Sequence, residues 1–268
     1  MSVWGRLTAF LVVLLGTFGT AYSLGEKLPG HSHAGHTHSH GPASVVPPGF
    51  EFGNYVLITD SVAGGDGGPR TLTFHLEMKD GMRVTEFQRV HDALLHVIVI
   101  RPDLSDFQHL HPDIQSDGTW QVTLDQPGAW HLVFDSTPAG ESAPVVVSAN
   151  SDDEVAVEPV ALPEPDDDVT VSGLHIVRSG VNFSISNEDG SPVTGLEPYL
   201  GQAAHLVAIR QGDLAYVHLH PMADMVNMFM FGATDVGTAL PQPGTYRAFL
   251  QFGYRGDVIT VPFTVVQP

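Results

Sequence analysis

The feature that most constrains this sequence is that its second half repeats its first. Phe74 recurs as Phe183, Asp80-Gly81 as Asp189-Gly190, His96 as His205 and Arg101 as Arg210. His109-Leu110-His111-Pro112 recurs as His218-Leu219-His220-Pro221, and every one of these pairs is 109 residues apart. Seven extra residues after the second His-Leu-His-Pro move the spacing to 116, at which Gln126-Pro127-Gly128 and Trp130 meet Gln242-Pro243-Gly244 and Tyr246. The shared pattern is H-x4-R-x7-H-L-H-P followed by Q-P-G-x-[WY]. A gapless match over so many positions marks a duplicated unit. A unit of about 100 residues is large enough for a core of its own.

Within each unit, short β-branched runs alternate with turn signals. Val97-Ile98-Val99-Ile100, Val145-Val146-Val147 and Val258-Ile259-Thr260-Val261 are separated by Asp80-Gly81, Asp117-Gly118, Pro127-Gly128 and Pro243-Gly244. In Pro-Gly the proline presets the first turn position and the glycine supplies the positive φ of the second. The pattern predicts an all-β chain with two tandem immunoglobulin-like β-sandwich domains, over residues 50–150 and 169–268. Between them, residues 151–168 hold Asp152-Asp153-Glu154, several prolines and Asp166-Asp167-Asp168, and read as an extended, solvated linker.

Ahead of the first unit, Leu7 to Leu24 are uncharged and mostly apolar. The stretch just reaches the length of a spanning helix. Residues 1–24 are therefore expected to be a signal anchor, or a signal peptide with Ala21-Tyr22-Ser23 at its cleavage site. Both place the rest of the chain outside the cytoplasm, held at the cell membrane through residues 7–24 or secreted if cleaved. Residues 25–49 contain His31, His33, His36, His38 and His40 among small polar residues, and read as a disordered metal-binding tract or a plain spacer.

Composition narrows the chemistry. With Asp and Glu at 30 against Lys and Arg at 11, the formal net charge is -19, which excludes a nucleic-acid partner. With no Cys, there is neither a disulfide framework nor a thiolate metal site. The 15 His outnumber the basic residues, and imidazole is the commonest transition-metal ligand.

The duplication places six of those histidines. If Gln211 to Leu214 form a four-residue hairpin loop, Arg210 faces Ala215 and His205 lies opposite His220. The loop Pro102 to Ser105 likewise sets Arg101 against Asp106 and His96 against His111. His109 and His218 stand two residues earlier on the return strands, hence on the same face. Each hairpin then carries three imidazoles able to converge on one ion, unless a one-residue slip turns one of them away. The competing reading is that these histidines are hydrogen-bonded structural residues. His75, His91 and His131 lack counterparts in the second unit and are candidates for a fourth ligand or for simple surface positions. The second unit instead carries Met222, Met225, Met228 and Met230. Thioethers select Cu(I), whereas imidazoles suit Cu(II) and Zn(II). Met222 and Met225 are the candidate soft ligands. Met228 and Met230 alternate with Phe229 and Phe231, as core residues of one buried strand would.

No G-x-S-x-G, H-E-x-x-H or P-loop is present, and no carboxylate near the His-Leu-His-Pro motif is kept in both units, so a catalytic role is not expected. The sequence resembles the exported actinobacterial heavy-metal-binding, YtkA-like proteins with duplicated His-Leu-His-Pro domains. The resemblance rests on H-x4-R-x7-H-L-H-P and Q-P-G-x-[WY] over roughly residues 50–268. It implies a membrane-anchored or secreted β-sandwich protein concerned with metal. More loosely, His/Met chemistry on a Cys-free sandwich looks like the CopC-type copper carriers, although their N-terminal His motif is missing. The expectation is an extracytoplasmic copper-binding protein, with zinc as the alternative ion, that buffers metal or exchanges it with a donor or acceptor protein. The alternative is a tandem structural or interaction module at the cell surface. Because a bound imidazole must be neutral, affinity is expected to fall below about pH 6.

Overall fold

The structure is a computed structural model that describes residues 49–65, 67–151, 158–225, 227–231, 240 and 242–268. The apolar stretch Leu7 to Leu24, the tract from His31 to His40 and the acidic residues Asp152 to Glu154 lie outside the described residues. Among the described residues no helix is long and apolar enough to cross a membrane.

The described chain is all-β. The first domain comprises β1 (Glu51–Phe52), β2 (Tyr55–Gly64), β3 (Arg70–Met78), β4 (Phe87–Gln88), β5 (Leu95–Ile100), β6 (Gln108–Leu110), β7 (Trp120–Leu124), β8 (Trp130–Pro138) and β9 (Val145–Ser151). The second comprises β10 (Asp168–Val171), β11 (Leu174–Ser179), β12 (Asn182–Asn187), β13 (Leu196–Glu197), β14 (His205–Arg210), β15 (Tyr216–Leu219), β16 (Ala223–Met225), β17 (Met228–Met230), β18 (Gly244–Tyr254) and β19 (Asp257–Gln267). Each domain has two antiparallel sheets. One is ordered β1-β2-β3-β7 in the first domain and β10-β11-β12-β17-β16 in the second. The other is β4-β8-β5-β6, with β9 on β8, and correspondingly β13-β18-β14-β15, with β19 on β18.

Alternation explains the cores. Phe74, Trp120, Val97, Val99 and Phe134 fill the space between the two sheets of the first domain. Phe183, Leu206, Ala208, Leu250 and Phe263 do the same in the second. The opposite faces of β5 and β14 are buried as well. Ile98, Ile100, Val133 and Val146 pack with Val207, Ile209, Tyr216 and Phe249 in a third cluster that joins the domains. Phe107 stacks on Phe249 with ring centroids 3.9 Å apart. The run Val97-Ile98-Val99-Ile100 is therefore unbroken because the strand is covered on both faces. Burial of each such aliphatic side chain contributes about 1.5–3 kcal/mol.

The matched Pro-Gly corners are built alike. Trp130 Nε1 donates to the Gln126 carbonyl at 3.1 Å, and the Tyr246 hydroxyl to the Gln242 carbonyl at 2.9 Å. Both rings are buried, and the Arg101 guanidinium lies 3.7 Å over the Trp130 ring.

Two expectations change. The described part of the linker is not a solvated spacer throughout: Val160 donates its N–H to Asp103 and Leu162 packs into the interdomain cluster. In β17 the phenylalanine points inward, and Met228 and Met230 are only half-buried on the other face. This follows from the period-2 alternation of a strand covered on one side.

Candidate metal centre

The hairpins bring the six repeated histidines together. Ile98 pairs with His109 and Val207 with His218. Continued two residues along each strand, the same register sets His96 against His111 and His205 against His220. Arg101 ion-pairs with Asp106 at 3.3 Å, and the Arg210 N–H donates to the Ala215 carbonyl at 2.9 Å. The proline after each motif lacks an N–H and ends the strand. Both triads, His96, His109, His111 and His205, His218, His220, could hold a metal ion, their ligating nitrogens lying within 4.8 Å of one another.

In the first triad His96 Nδ1, His109 Nε2 and His111 Nε2 stand 3.1, 3.2 and 3.2 Å apart. Three nitrogens at tetrahedral positions around a zinc-sized ion would be about 3.4 Å apart. The outer nitrogens fix the tautomers. His96 Nε2 faces the Val90 carbonyl at 3.4 Å. His109 Nδ1 faces Gln251 Oε1 at 2.7 Å, and the Gln251 amide nitrogen is already donating to Thr260. A neutral imidazole has one N–H. With those protons turned outward, His96 and His109 aim lone pairs at the same point. A proton on His111 Nε2 serves only one of them at a time, whereas a cation serves all three.

The second triad repeats this. His205 Nε2 donates to the Tyr199 carbonyl at 2.9 Å, leaving Nδ1 bare 3.1 Å from His218 Nε2. His218 Nδ1 is 3.7 Å from Asp135 Oδ2, which accepts the Tyr216 hydroxyl at 3.0 Å. The carbonyls of Val90 and Tyr199 belong to matched tight turns. His91 and Asp92 have φ of 49° and 59° in one, and Leu200 and Gly201 have 49° and 70° in the other. Such turns are type I′-like, the form that suits a two-residue hairpin.

Electrostatics favour the neutral form of His96, His109, His111, His205 and His218. Burial holds His96, His109 and His218 below the ordinary histidine value, His109 and His218 well below it. Burial lowers His111 to about 4 and His205 to about 3. Burial pushes Asp135 up, opposed by His96 and the Tyr216 hydroxyl. Protonation of these imidazoles is thereby displaced to lower pH than that of a solvated imidazole.

The unfolded chain protonates these histidines near 6.5. The folded chain resists protonation down to about 4 at His111 and about 3 at His205. Between those limits the unfolded state binds more protons, so stability is lost as pH falls. The thermal midpoint of the metal-free chain should drop from pH 7 to pH 4.5 more steeply than that of a chain carrying His111→Asn and His205→Asn. Parallel profiles would contradict this.

The other candidates are dispersed. His75 is buried in β3, with its ring nitrogens 2.8 Å from Asp60 and Glu77. His131 lies on β8 and bonds Asn150 at 2.8 Å. His91 lies against the second triad, its ring centroid 3.6 Å from that of His220. Met222 is 60% exposed two residues beyond His220, and Met225 is in β16. Gln251, Asp135, Tyr199 and Tyr216 were not anticipated. A signal for two of them was present: Asp135 and Gln251 are 116 residues apart, the spacing of the later matches.

The chain belongs to the family described as a domain of unknown function, DUF8832, which matches residues 50–152 and again 168–267. No curated protein matches. Among solved structures, a mutant alpha-2-macroglobulin of Salmonella matches with 11% identity, a TM-score of 0.26, 84% of this chain and 15% of its own. A DUF4785 family protein of Legionella pneumophila matches with 13% identity, a TM-score of 0.27, 81% of this chain and 57% of its own.

Proposed function

We propose that the protein binds transition-metal ions outside the cytoplasm, copper before zinc, and buffers them or exchanges them with a donor or acceptor protein without catalytic turnover. The observation that carries this reading is the convergence of bare imidazole nitrogens 3.1 Å apart in both domains, their outer N–H groups directed to protein oxygens. This is the outer-sphere arrangement that orients metal-binding histidines. The preference for copper rests on the methionines near His220 in a chain with no Cys. The extracytoplasmic placement rests on the apolar stretch Leu7 to Leu24 and the His-rich tract behind it. Each domain is read as an immunoglobulin-like sandwich.

The test is a titration of the full-length chain with His31, His33, His36, His38 and His40 changed to Ser, so that only the hairpin sites report. Zn(II) and Cu(I) should both bind well below micromolar. Met222→Leu with Met225→Leu should weaken Cu(I) by roughly 10-fold and leave Zn(II) unchanged, because a thioether prefers the softer ion. Unchanged Cu(I) affinity would remove the thioether part of the reading. No metal binding tighter than about 1 μM, a free energy of only about 8 kcal/mol, would remove the whole of it.

A further inference from the structure

The two triads meet at the domain interface. The ring centroid of His96 is 5.3 Å from that of His218 and 6.3 Å from that of His205. His109 is 5.5 Å from His218 and 5.9 Å from His205. The groups that orient the central ligands come from the opposite domain. His109, in the first domain, is held by Gln251 of the second. His218, in the second, faces Asp135 of the first, and that carboxylate is held by Tyr216 of the second.

Asp135 and Gln251 occupy equivalent places. Asp135 pairs with His96 across β8 and β5, and Gln251 pairs with His205 across β18 and β14. Each therefore sits beside a ligand of its own domain and reaches toward a ligand of the other. The turns cross in the same sense. His91 of the first domain lies on His220, while Tyr199 of the second lies 6.3 Å from His111 and 6.5 Å from His109. The turns also touch: a Cβ on Gly201 would come within 2.7 Å of Asp92 Oδ2.

We infer that the two triads are one two-ion centre whose ligands are oriented across the interface, with Gln251 a positioning residue for the first triad and Asp135 for the second. The inference rests on the metal-binding reading above. The centre is unequal. A carboxylate beside a metal-bound imidazole draws its N–H and raises its basicity, whereas an amide oxygen does so less. The second triad, with Asp135, then holds a divalent ion more tightly than the first.

The test uses the full-length chain with the five tract histidines changed to Ser, and Zn(II) as the probe. His220→Ala leaves the first triad to be read alone, and His111→Ala leaves the second. Gln251→Ala should weaken Zn(II) by roughly 10–100-fold where only the first triad remains, and have little effect where only the second remains. Asp135→Asn should show the reverse. A residue acting only locally would give the opposite assignment, because Gln251 adjoins His205 and Asp135 adjoins His96. Gln251→Glu should tighten the first triad, a gain that misfolding does not imitate. If each substitution affects the triad of its own domain, or both equally, or Gln251→Glu brings no gain, the crossed centre is wrong while metal binding stands. If neither single-triad chain binds Zn(II), both readings fall.

Discussion

Changing His109 and His218 to Ala together will remove Zn(II) and copper binding from the hairpins while leaving the chain folded. Each is a central ligand of its triad, and each contributes one of the two nitrogens that face each other at 3.1 Å. An outer-sphere partner alone is worth roughly 10–100-fold in affinity, so a missing ligand should cost at least that much at each site. Both imidazoles are shielded from solvent among the other histidines, but neither belongs to the aliphatic cluster that joins the domains. Loss of metal with an unchanged circular dichroism spectrum is the expected result. Loss of the fold in both single variants would favour the structural-module reading of the histidines.

The largest effect on stability is expected from Trp130→Ala. The ring is 1% exposed, carries the Arg101 guanidinium on its face and donates to the Gln126 carbonyl. Emptying such a site costs about 3–5 kcal/mol. It also strips Arg101, which is 4% exposed, of its stacking partner. Trp130→Tyr should cost much less, because Tyr246 fills the matched corner and bonds the matched carbonyl. Urea unfolding measures both. A loss under about 1 kcal/mol for the alanine variant would show that the corner relaxes into the space, contrary to the packing described.

How much of this was legible depends on which interactions are local in sequence. The hairpin register followed from loop length, because β-pairing propagates from the turn, and it is what puts His96 against His111. The all-β character followed from β-branched runs and Pro-Gly turns. The meeting of the triads was not legible. Nothing local shows that Ile98 and Val207 turn toward another domain, since a strand buried between two sheets and one buried between two domains read alike. The roles of Asp135 and Gln251 were hidden for the same reason: each acts on a histidine of the other repeat, and pattern matching aligns the repeats without docking them. His75 shows the opposite limit. In the sequence it reads as a fourth ligand or a surface position, but the alternation of β3 directs it to Asp60 and Glu77 in the sheet away from the interface. Tight-turn carbonyls are also invisible as chemistry in a sequence, although Val90 and Tyr199 fix the tautomers of His96 and His205.

The most direct test of the central claim is a crystal structure of the tract-substituted chain grown with Zn(II), with diffraction collected at the zinc edge. Two anomalous peaks are expected in each chain, one among His96, His109 and His111 and one among His205, His218 and His220. Bound zinc elsewhere with none at either triad, or well-ordered triads that stay empty at millimolar zinc, would contradict it.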